Sequence, residues 1–255
     1  MRASMAQAVA KIRLYVEADL GAGHDVALDR DQAHYLTGVM RQGAGDRVLL
    51  FNGRDGEWLA EIAAVGKRSV SLTCLERVRE QTGVPDLWLC FAPVKKARTD
   101  FIAEKACEMG SARLVPVFTR HTNSERVRTD RLRAHAIEAA AQCGMLSVPE
   151  IAEPVALERL LADWPEGRRL MFCDESGSGE PASEVLRRVG LNPTLPAGPW
   201  AVLIGPEGGF SPEEASRLRA LPYAHAVSLG PRILRADTAA VVALTVWQSV
   251  LGDWT

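Results

Sequence analysis

Two adjacent glycines stand between an apolar run and a helix start, in the segment Ile204-Gly205-Pro206-Glu207-Gly208-Gly209-Phe210. Because glycine has no Cβ, its backbone N–H and C=O groups can come close to a bound ligand. The residues that follow, Ser211-Pro212-Glu213-Glu214, are types preferred at the cap and first turn of a helix. The segment is therefore either a ligand-binding turn or a plain strand-to-helix connection. It matches neither GxGxxG nor a P-loop, since no Lys-Ser/Thr follows the glycines.

Two arginines precede the most apolar helix that the sequence predicts. Arg232 and Arg235 lie in the run LGPRILRADTA, from Leu229 to Ala239. Arginines at the head of a buried helix need anionic or polar partners. Those partners are either a ligand or the carboxylates of Glu207 and Asp237. A third polar segment, Asp174 to Gly179, could be a nucleotide-binding turn, but a plain polar loop is the favoured interpretation.

Basic residues are concentrated in one stretch of an otherwise acidic chain. Residues 93–133 carry 10 basic and 5 acidic side chains, although the whole chain has a formal net charge of −2. Such a stretch is either a phosphate-facing patch or a solvated helix face, and charge alone favours the solvated face.

Nothing in the sequence indicates a metal site, a disulfide framework or a membrane segment. The five cysteines include no CxxC pair, and the five histidines form no HExxH motif. The longest uncharged run, Thr238 to Gly252, has 15 residues and is too short to span a bilayer. Gln7, Lys11 and Arg13 interrupt the first apolar residues, so no signal peptide is predicted. We therefore expect reduced thiols, no metal, no membrane partner and a cytoplasmic location.

Short strands dominate the predicted structure of the N-terminal third. The predicted strands are Arg47–Phe51, Trp58–Ile62 and Ser69–Thr73. Glycine-containing turns separate them, and only Asp31–Met40 has helical spacing, which is typical of a small β-barrel. The best boundary is Gln81-Thr-Gly-Val-Pro85, which predicts one domain at 1–82 and a second at 83–255.

Strands and helices alternate after Pro85, which favours an α/β fold with a mostly parallel sheet and helices on both faces. The predicted strands are Leu87–Ala92, Leu114–Phe118, Leu170–Cys173, Trp200–Ile204 and Val227–Leu229. The predicted helices are Arg98–Met109, Thr129–Cys143, Leu157–Trp164, Ala182–Val189 and Asp237–Leu251, with another starting at Ser211. Ligands of such sheets bind at the carboxyl ends of the strands, where the glycine turn and the arginine run are expected.

The glycine turn and the arginine run, separated by one helix and one strand, resemble the RsmE family of 16S rRNA uridine-N3 methyltransferases, which belong to the SPOUT class. His34 to Arg41 (HYLTGVMR) and Phe51-Asn-Gly53 are similar to the N-terminal PUA-like barrel of that family. Lys95-Lys96, Glu108-Met-Gly110 and Thr122-Asn-Ser-Glu-Arg126 are similar to its central part. The resemblance covers most of the chain, and the two C-terminal motifs are its most specific part.

The resemblance implies a SPOUT-type trefoil knot, in which the chain from Arg232 to Ala236 threads under an earlier loop. It also implies a homodimer formed through the last helix, and S-adenosylmethionine held by the knot loops without a metal. The residues that it assigns to the cofactor are Ile204, Gly205, Pro206, Gly208, Gly209, Leu229, Gly230, Ile233, Leu234 and Thr238. Of these, the glycines of the turn would line the methionine side, and the residues of the arginine run would hold the adenine.

Methylation at uracil N3 requires an unpaired base, because N3 lies on the Watson–Crick edge. The N3 proton must leave, and a cation near O2 and O4 stabilises the negative charge that results. Arg235 is the first candidate for that cation and Arg232 the second, and Glu207 or Asp237 is a candidate proton acceptor. The implied partner is 16S rRNA of the small ribosomal subunit. The candidate RNA contacts are Arg13, Arg41, Lys95, Lys96 and Arg126.

The chain departs from the family pattern at Ala141 and Met145, where an acidic and a basic residue are usual, and at Asp237, where glutamate is usual. Three alternatives stay open, and the changes at Ala141 and Met145 support only the second of them. One is a SPOUT methyltransferase that acts on another rRNA or tRNA nucleotide, or on a ribose 2′-hydroxyl. Another is a non-catalytic RNA-binding factor for ribosome assembly, and the third is a nucleotide-binding α/β enzyme that uses the turn at Asp174 to Gly179.

Overall fold

The computed structural model describes residues 10–67, 69–124, 126–177, 179–190 and 198–254. Its contacts divide the chain into two compact units. The N-terminal unit consists of the residues up to Gly83 together with Ala140–Ser147. The C-terminal unit consists of Val84–Ala139 and the residues from Val148 onward. The grouping of Ala140–Ser147 with the N-terminal unit was not predicted from the sequence.

A five-stranded sheet forms the N-terminal unit. The strands are β1 (Arg13–Tyr15), β2 (Asp25–Ala27), β3 (Arg47–Phe51), β4 (Glu57–Val65) and β5 (Val70–Arg79). Their order is β1-β3-β4-β5-β2; β1 pairs with β3 in parallel, and the other pairs are antiparallel. The predicted helix is confirmed as α1 (Arg30–His34) and a π-helical turn at Tyr35–Val39, which buries Leu36 in the core. The predicted strand Arg47–Phe51 is confirmed as β3, Trp58–Ile62 is part of β4, and Ser69–Thr73 overlaps β5, which begins at Val70.

Arg13 and Glu57 form a buried ion pair inside the N-terminal unit. The Arg13 Nε lies 2.6 Å from Glu57 Oε1, and the two side chains are 9% and 1% exposed. The same guanidinium donates to the carbonyl oxygens of Ala140 and Ala141 at 2.7 and 2.8 Å, and to that of Met145 at 3.0 Å. These bonds hold the segment Ala140–Ser147 through its backbone, so they do not depend on the side chains at positions 141 and 145.

A parallel sheet forms the centre of the C-terminal unit. Its strands are β6 (Leu87–Phe91), β7 (Arg113–Phe118), β8 (Glu150–Ile151), β9 (Val155–Ala156), β10 (Arg169–Cys173), β11 (Glu180–Pro181), β12 (Trp200–Ile204) and β13 (Ala224–Ser228). Their order is β11-β13-β10-β12-β6-β7-β8, and β9 also pairs with β7. All pairs between these described strands are parallel, which confirms the predicted sheet.

Helices cover both faces of the parallel sheet. They are α2 (Lys96–Glu108), α3 (Thr129–Cys143), α4 (Leu157–Ala162), α5 (Ala182–Gly190), α6 (Pro212–Ala220) and α7 (Ala236–Leu251). One face, which includes Leu89, Met171 and Val202, shares a core with α2, α5 and α7. The other face, which includes Phe172 and Leu203, shares a core with α4 and α6. Within the described ranges, no helix is long and apolar enough to cross a membrane.

The strand order β13-β10-β12 brings three carboxyl ends together at one edge of the sheet. Phe172 of β10 pairs with Leu203 of β12, and Cys173 of β10 pairs with Val227 of β13. Three loops therefore leave the sheet side by side: the polar loop after β10, the glycine turn after β12 and the arginine run after β13. Since ligands of doubly wound sheets bind at this edge, the topology positions a site there.

Candidate functional site

A cavity of about 700 Å³ opens at the carboxyl edge of β10, β12 and β13. The three loops at this edge and the first residues of α7 form its wall. The glycine turn contributes Ile204, Gly205, Pro206, Glu207 and Gly209. The arginine run contributes Leu229, Gly230, Pro231, Arg232, Ile233 and Leu234. The structure thus brings together the two segments that the sequence singled out separately.

Two of the residues assigned to the cofactor, Gly208 and Thr238, are not in the wall of this cavity. Gly208 faces His121, whose Nδ1 lies 3.2 Å from the carbonyl oxygens of Gly208 and Gly209. A Cβ at Gly208 would come within 3.2 Å of the His121 Cβ, so glycine keeps this approach open. Thr238 is exposed in the first turn of α7. The contact with His121 was not predicted, because the residue carries no local motif.

Glu175 fixes the glycine turn from the neighbouring loop. Its Oε1 accepts a hydrogen bond of 2.8 Å from the backbone N–H of Phe210. Gly209 has a φ of +70°, a conformation that L side chains rarely adopt, and a Cβ there would overlap the same carboxylate oxygen. A Cβ at Gly205 would lie 2.7 Å from the Phe210 ring. The glycines are therefore required by packing inside the protein, whatever ligand the turn binds.

The polar loop after β10 belongs to the cavity wall, contrary to its interpretation as a plain polar loop. Cys173, Asp174, Glu175, Ser176, Gly177 and Gly179 all line the cavity. The signal that could have found it is its position after a buried strand, since the carboxyl ends of parallel strands share one edge. Burial raises the pKa of the Cys173 thiol, so this cysteine stays protonated and is a poor nucleophile.

An ion pair with Arg219 of α6 holds Asp174 in place. Asp174 Oδ2 accepts from Nε and Nη2 of Arg219 at 2.8 and 2.6 Å, and its Oδ1 accepts from the Ser176 N–H at 3.0 Å. Burial alone would raise the pKa of this carboxyl, but the hydrogen bonds from Ser176 and Arg219 outweigh it and lower the pKa. The charge of Asp174 is thus neutralised within the protein, and the loop is tied to α6.

The two arginines of the run have different positions. Arg232 lines the cavity, whereas Arg235 is the residue directly before α7, is exposed, and is not in the cavity wall. Among the described contacts, neither arginine pairs with Glu207 or Asp237, so the alternative that these carboxylates neutralise them is wrong. Asp237 instead lies 3.6 Å from Nη1 of Arg98 on α2. Glu207 is in the wall, beside the glycines.

The candidate RNA contacts are distributed over both units. The prediction for Arg13 is corrected, because its guanidinium is buried against Glu57 and three backbone carbonyls and does not face solvent. Arg41 is exposed in the N-terminal unit and has a φ of +56°. Lys95, Lys96 and Arg126 are exposed in the C-terminal unit. Of these three, Lys96 and Arg126 line a second, smaller cavity, and Lys95 does not.

In the part of the chain that the structure describes, no three or more His, Cys, Asp or Glu side chains are grouped so that they could hold a metal ion. The five cysteines form no disulfide, and Cys143 is the exposed one among them.

Two family models match the chain. The model of an RNA methyltransferase domain matches residues 81–248, and the model of an RNA methyltransferase PUA domain matches residues 28–74. The first match spans more than half of the chain and includes all three loops of the large cavity.

Relatives with known names extend the similarity over nearly the whole length. The ribosomal RNA small subunit methyltransferase E of Rickettsia conorii is 29% identical, over 91% of this chain and 93% of its own. The protein of the same name from Synechocystis is 30% identical, over 89% of this chain and 73% of its own. A structure from Legionella pneumophila, described as a methyltransferase with the bound cofactor SAM, is 28% identical and has a TM-score of 0.83. It covers 95% of this chain and 98% of that one.

Proposed function

The chain belongs to the ribosomal RNA small subunit methyltransferase E family of RNA methyltransferases, and we propose that it transfers the methyl group of S-adenosylmethionine to N3 of a uridine in 16S rRNA. The observation that carries the proposal is the cavity that the glycine turn and the arginine run form together. The Legionella relative, which was solved with bound SAM, supports the choice of cofactor.

The residues of the cavity fit S-adenosylmethionine. Its volume of about 700 Å³ lies in the range of small-molecule sites, about 300–1,000 Å³. The carboxylates of Glu175 and Glu207 are in the wall and complement a positively charged sulfonium. Leu229 and Leu234 offer apolar contact for an adenine ring, and Gly205 is in the same wall. When bound, the sulfonium supplies an activated methyl group.

The arginine run supplies the charge that the uracil needs. When the N3 proton leaves, negative charge spreads onto O2 and O4, and a cation nearby stabilises it. Arg235, directly before α7, is the first candidate for this role, and Arg232, which lines the cavity, is the second. Among the described contacts, neither arginine is paired with Glu207 or with Asp237, whose ion pair is with Arg98. Glu207 is the proposed proton acceptor, since it is in the wall of the cavity on the glycine turn. Alignment of N3 with the methyl carbon would supply much of the rate.

The finer structural assignments follow from the family. Residues 1–82 would form a PUA-like barrel that binds RNA, supported by the PUA match to 28–74 and by the five-stranded sheet. Residues 83–255 would form the SPOUT domain, with Arg232 to Ala236 threaded through a trefoil knot. The half-buried valines Val241 and Val242 on α7 are available for the contact between two copies in a homodimer. The site of action would be the cytoplasm, where small ribosomal subunits are assembled.

The departures from the family pattern do not favour a non-catalytic protein. Ala141 and Met145 are in the segment that Arg13 holds through backbone carbonyls, and neither residue lines the cavity. Their side chains can therefore change without altering the cavity wall. The alternative of a nucleotide-binding enzyme needs a separate site at the loop from Asp174 to Gly179. That loop instead lines the same cavity as the glycine turn and the arginine run.

Ligand binding and one variant test the proposal. S-adenosylmethionine should raise the melting temperature, whereas NAD and ATP should not. Arg235→Ala should retain the melting-temperature shift and lose methyl transfer from labelled cofactor to unmodified small subunits, by about 10²–10³-fold if the arginine stabilises the developing charge. Arg187→Ala, an exposed arginine on α5, is the control and should keep both. A shift with NAD or ATP but not with S-adenosylmethionine would contradict the proposal.

A further inference from the structure

A second cavity, of about 290 Å³, lies in the C-terminal unit and has a strongly basic wall. Four cationic side chains and one carboxylate line it: Lys96, Arg126, Arg128, Arg131 and Asp100. These residues come from the first turns of α2 and α3 and from the connection that precedes α3. The large cavity has the opposite character, since three carboxylates and one guanidinium line it.

Two of the four cations are already paired. Arg131 donates to both oxygens of Asp100, at 2.8 and 2.5 Å, and Arg128 is paired with Asp130. The hydrogen bonds from Arg131 outweigh burial and lower the pKa of Asp100, so this carboxylate stays ionised and holds the arginine in the wall. Lys96 and Arg126 are exposed and form no ion pair within the described ranges. Their charge is therefore available to a ligand.

The wall of the second cavity fits an anion of small size. A volume of about 290 Å³ is at the lower end of ligand sites, which run from about 300 to 1,000 Å³, and suits a phosphate group better than a whole cofactor. Arg126 presents a planar fork of donors, the geometry that matches phosphate oxygens, and Lys96 adds a point charge.

An ion pair connects the surroundings of the two cavities. Arg98 is in the same first turn of α2 as Lys96, and it lies 3.6 Å from Asp237 in the first turn of α7. Ala236, the residue before Asp237, lines the large cavity. The starts of α2 and α7 are therefore neighbours, with one cavity beside each.

We infer that the small cavity binds a backbone phosphate of the substrate RNA. Lys96 and Arg126 contact the phosphate oxygens, and Arg131, held by Asp100, adds a fixed positive charge. The inference deepens the proposed function and rests on it for the identity of the substrate. Of the basic residues in the stretch 93–133, only those in the wall of the small cavity are then assigned to this phosphate. Lys95, Arg98 and Arg128 make no direct contact with it.

Salt dependence of RNA binding tests the site without requiring catalysis. The probe is a fluorescein-labelled single-stranded RNA that contains uridine, and anisotropy is measured from low to physiological salt. Each phosphate contact that is lost should reduce the slope of log K against log salt by about 0.7 for a single strand. The variant Lys96→Gln/Arg126→Gln should show this reduction, with weaker RNA binding and an unchanged affinity for S-adenosylmethionine. Its KM for unmodified small subunits should rise.

Matched controls keep the inference falsifiable. Arg187→Gln removes an exposed arginine of the same unit that does not line either cavity, and it should leave the slope unchanged. A double variant that is folded, binds S-adenosylmethionine and keeps the wild-type slope would overturn the inference while the proposed function stands. If the wild-type protein does not methylate RNA but the slope still falls, only the proposed function fails. Loss of binding to polyglutamate but not to RNA would show a protein-docking site and would also overturn the inference.

Discussion

Gly209→Ala should destabilise the protein mainly because it breaks the hydrogen bond from the Phe210 N–H to Glu175. A Cβ at this position would overlap Oε1 of Glu175, the oxygen that accepts the 2.8 Å hydrogen bond from the Phe210 N–H. The end of a glutamate side chain is flexible, so Glu175 should rotate away rather than displace the backbone. The rotation relieves the clash with the new methyl group, but it breaks the hydrogen bond between Glu175 and the Phe210 N–H that fixes the glycine turn.

The magnitude has two parts. A left-handed conformation costs a non-glycine residue about 1–2 kcal/mol, and the φ of Gly209 is +70°. Alanine also lowers the conformational entropy of the unfolded chain, which offsets about 0.4–1 kcal/mol of that cost. A hydrogen bond to an ionised group contributes about 1.5–3 kcal/mol. Together these terms predict a loss of about 1.5–4.5 kcal/mol in the free energy of unfolding.

Urea unfolding of the ligand-free protein measures this loss, and the chain offers a matched control. Gly177 is in the adjacent loop with a φ of +76°, and a Cβ there meets nothing within 4 Å. Gly177→Ala should therefore show only the strain, about 1 kcal/mol. In a double-mutant cycle, Gly209→Ala should cost no more than this control once Glu175→Ala is present. Equal losses for the two glycine variants, or no coupling between Gly209 and Glu175, would refute the reasoning.

Other variants test separate parts of the structure. Arg13→Ala should lower the unfolding free energy by about 3–5 kcal/mol, because the buried Glu57 carboxylate loses its 2.6 Å partner and keeps only the longer ion pair with Arg79 Nη1, at 3.7 Å. The exposed Arg41→Ala should change it by less than about 0.5 kcal/mol, and similar values for the two variants in urea titrations would contradict the buried role. Asp174→Asn should cost about 1–3 kcal/mol at pH 7. The folded pKa of Asp174 is below its ordinary value of 3.8. The difference in unfolding free energy between the wild type and Asp174→Asn is therefore fully present above pH 3.8 and should shrink as the pH falls through the folded pKa. A difference that grows in acid would be evidence against the ion pair.

Local sequence signals predicted the parts of the site that depend on nearby residues. The capping box of Ser211 and Glu214 is present at the start of α6, as the sequence Ser-Pro-Glu-Glu indicated. The glycine turn and the arginine run were located because glycine, proline and arginine have strong local requirements. The long strands and helices were predicted for a similar reason, since their apolar spacing extends over several residues.

Features that depend on distant residues were missed. The strands β1, β2, β8, β9 and β11 have only two or three residues, too few for a periodic pattern. Arginine is a residue type that contacts RNA, so the sequence alone suggested that role for Arg13. Its structural role is shown only by contacts such as its hydrogen bond to the carbonyl oxygen of Ala140, 127 positions away. The polar loop at Asp174 reaches the cavity because β10 lies between β12 and β13, and strand order is not written in any local motif.

The identity of the methylated nucleoside tests the central claim most directly. The protein is incubated with isotopically labelled S-adenosylmethionine and small ribosomal subunits that lack the modification, and the 16S rRNA is digested and separated by mass spectrometry. We predict that the label is found in 3-methyluridine, one per subunit, and that Arg235→Ala slows its incorporation by about 10²–10³-fold. Label in a different base or in a ribose 2′-O-methyl group, or no label with a protein that binds the cofactor, would contradict the account.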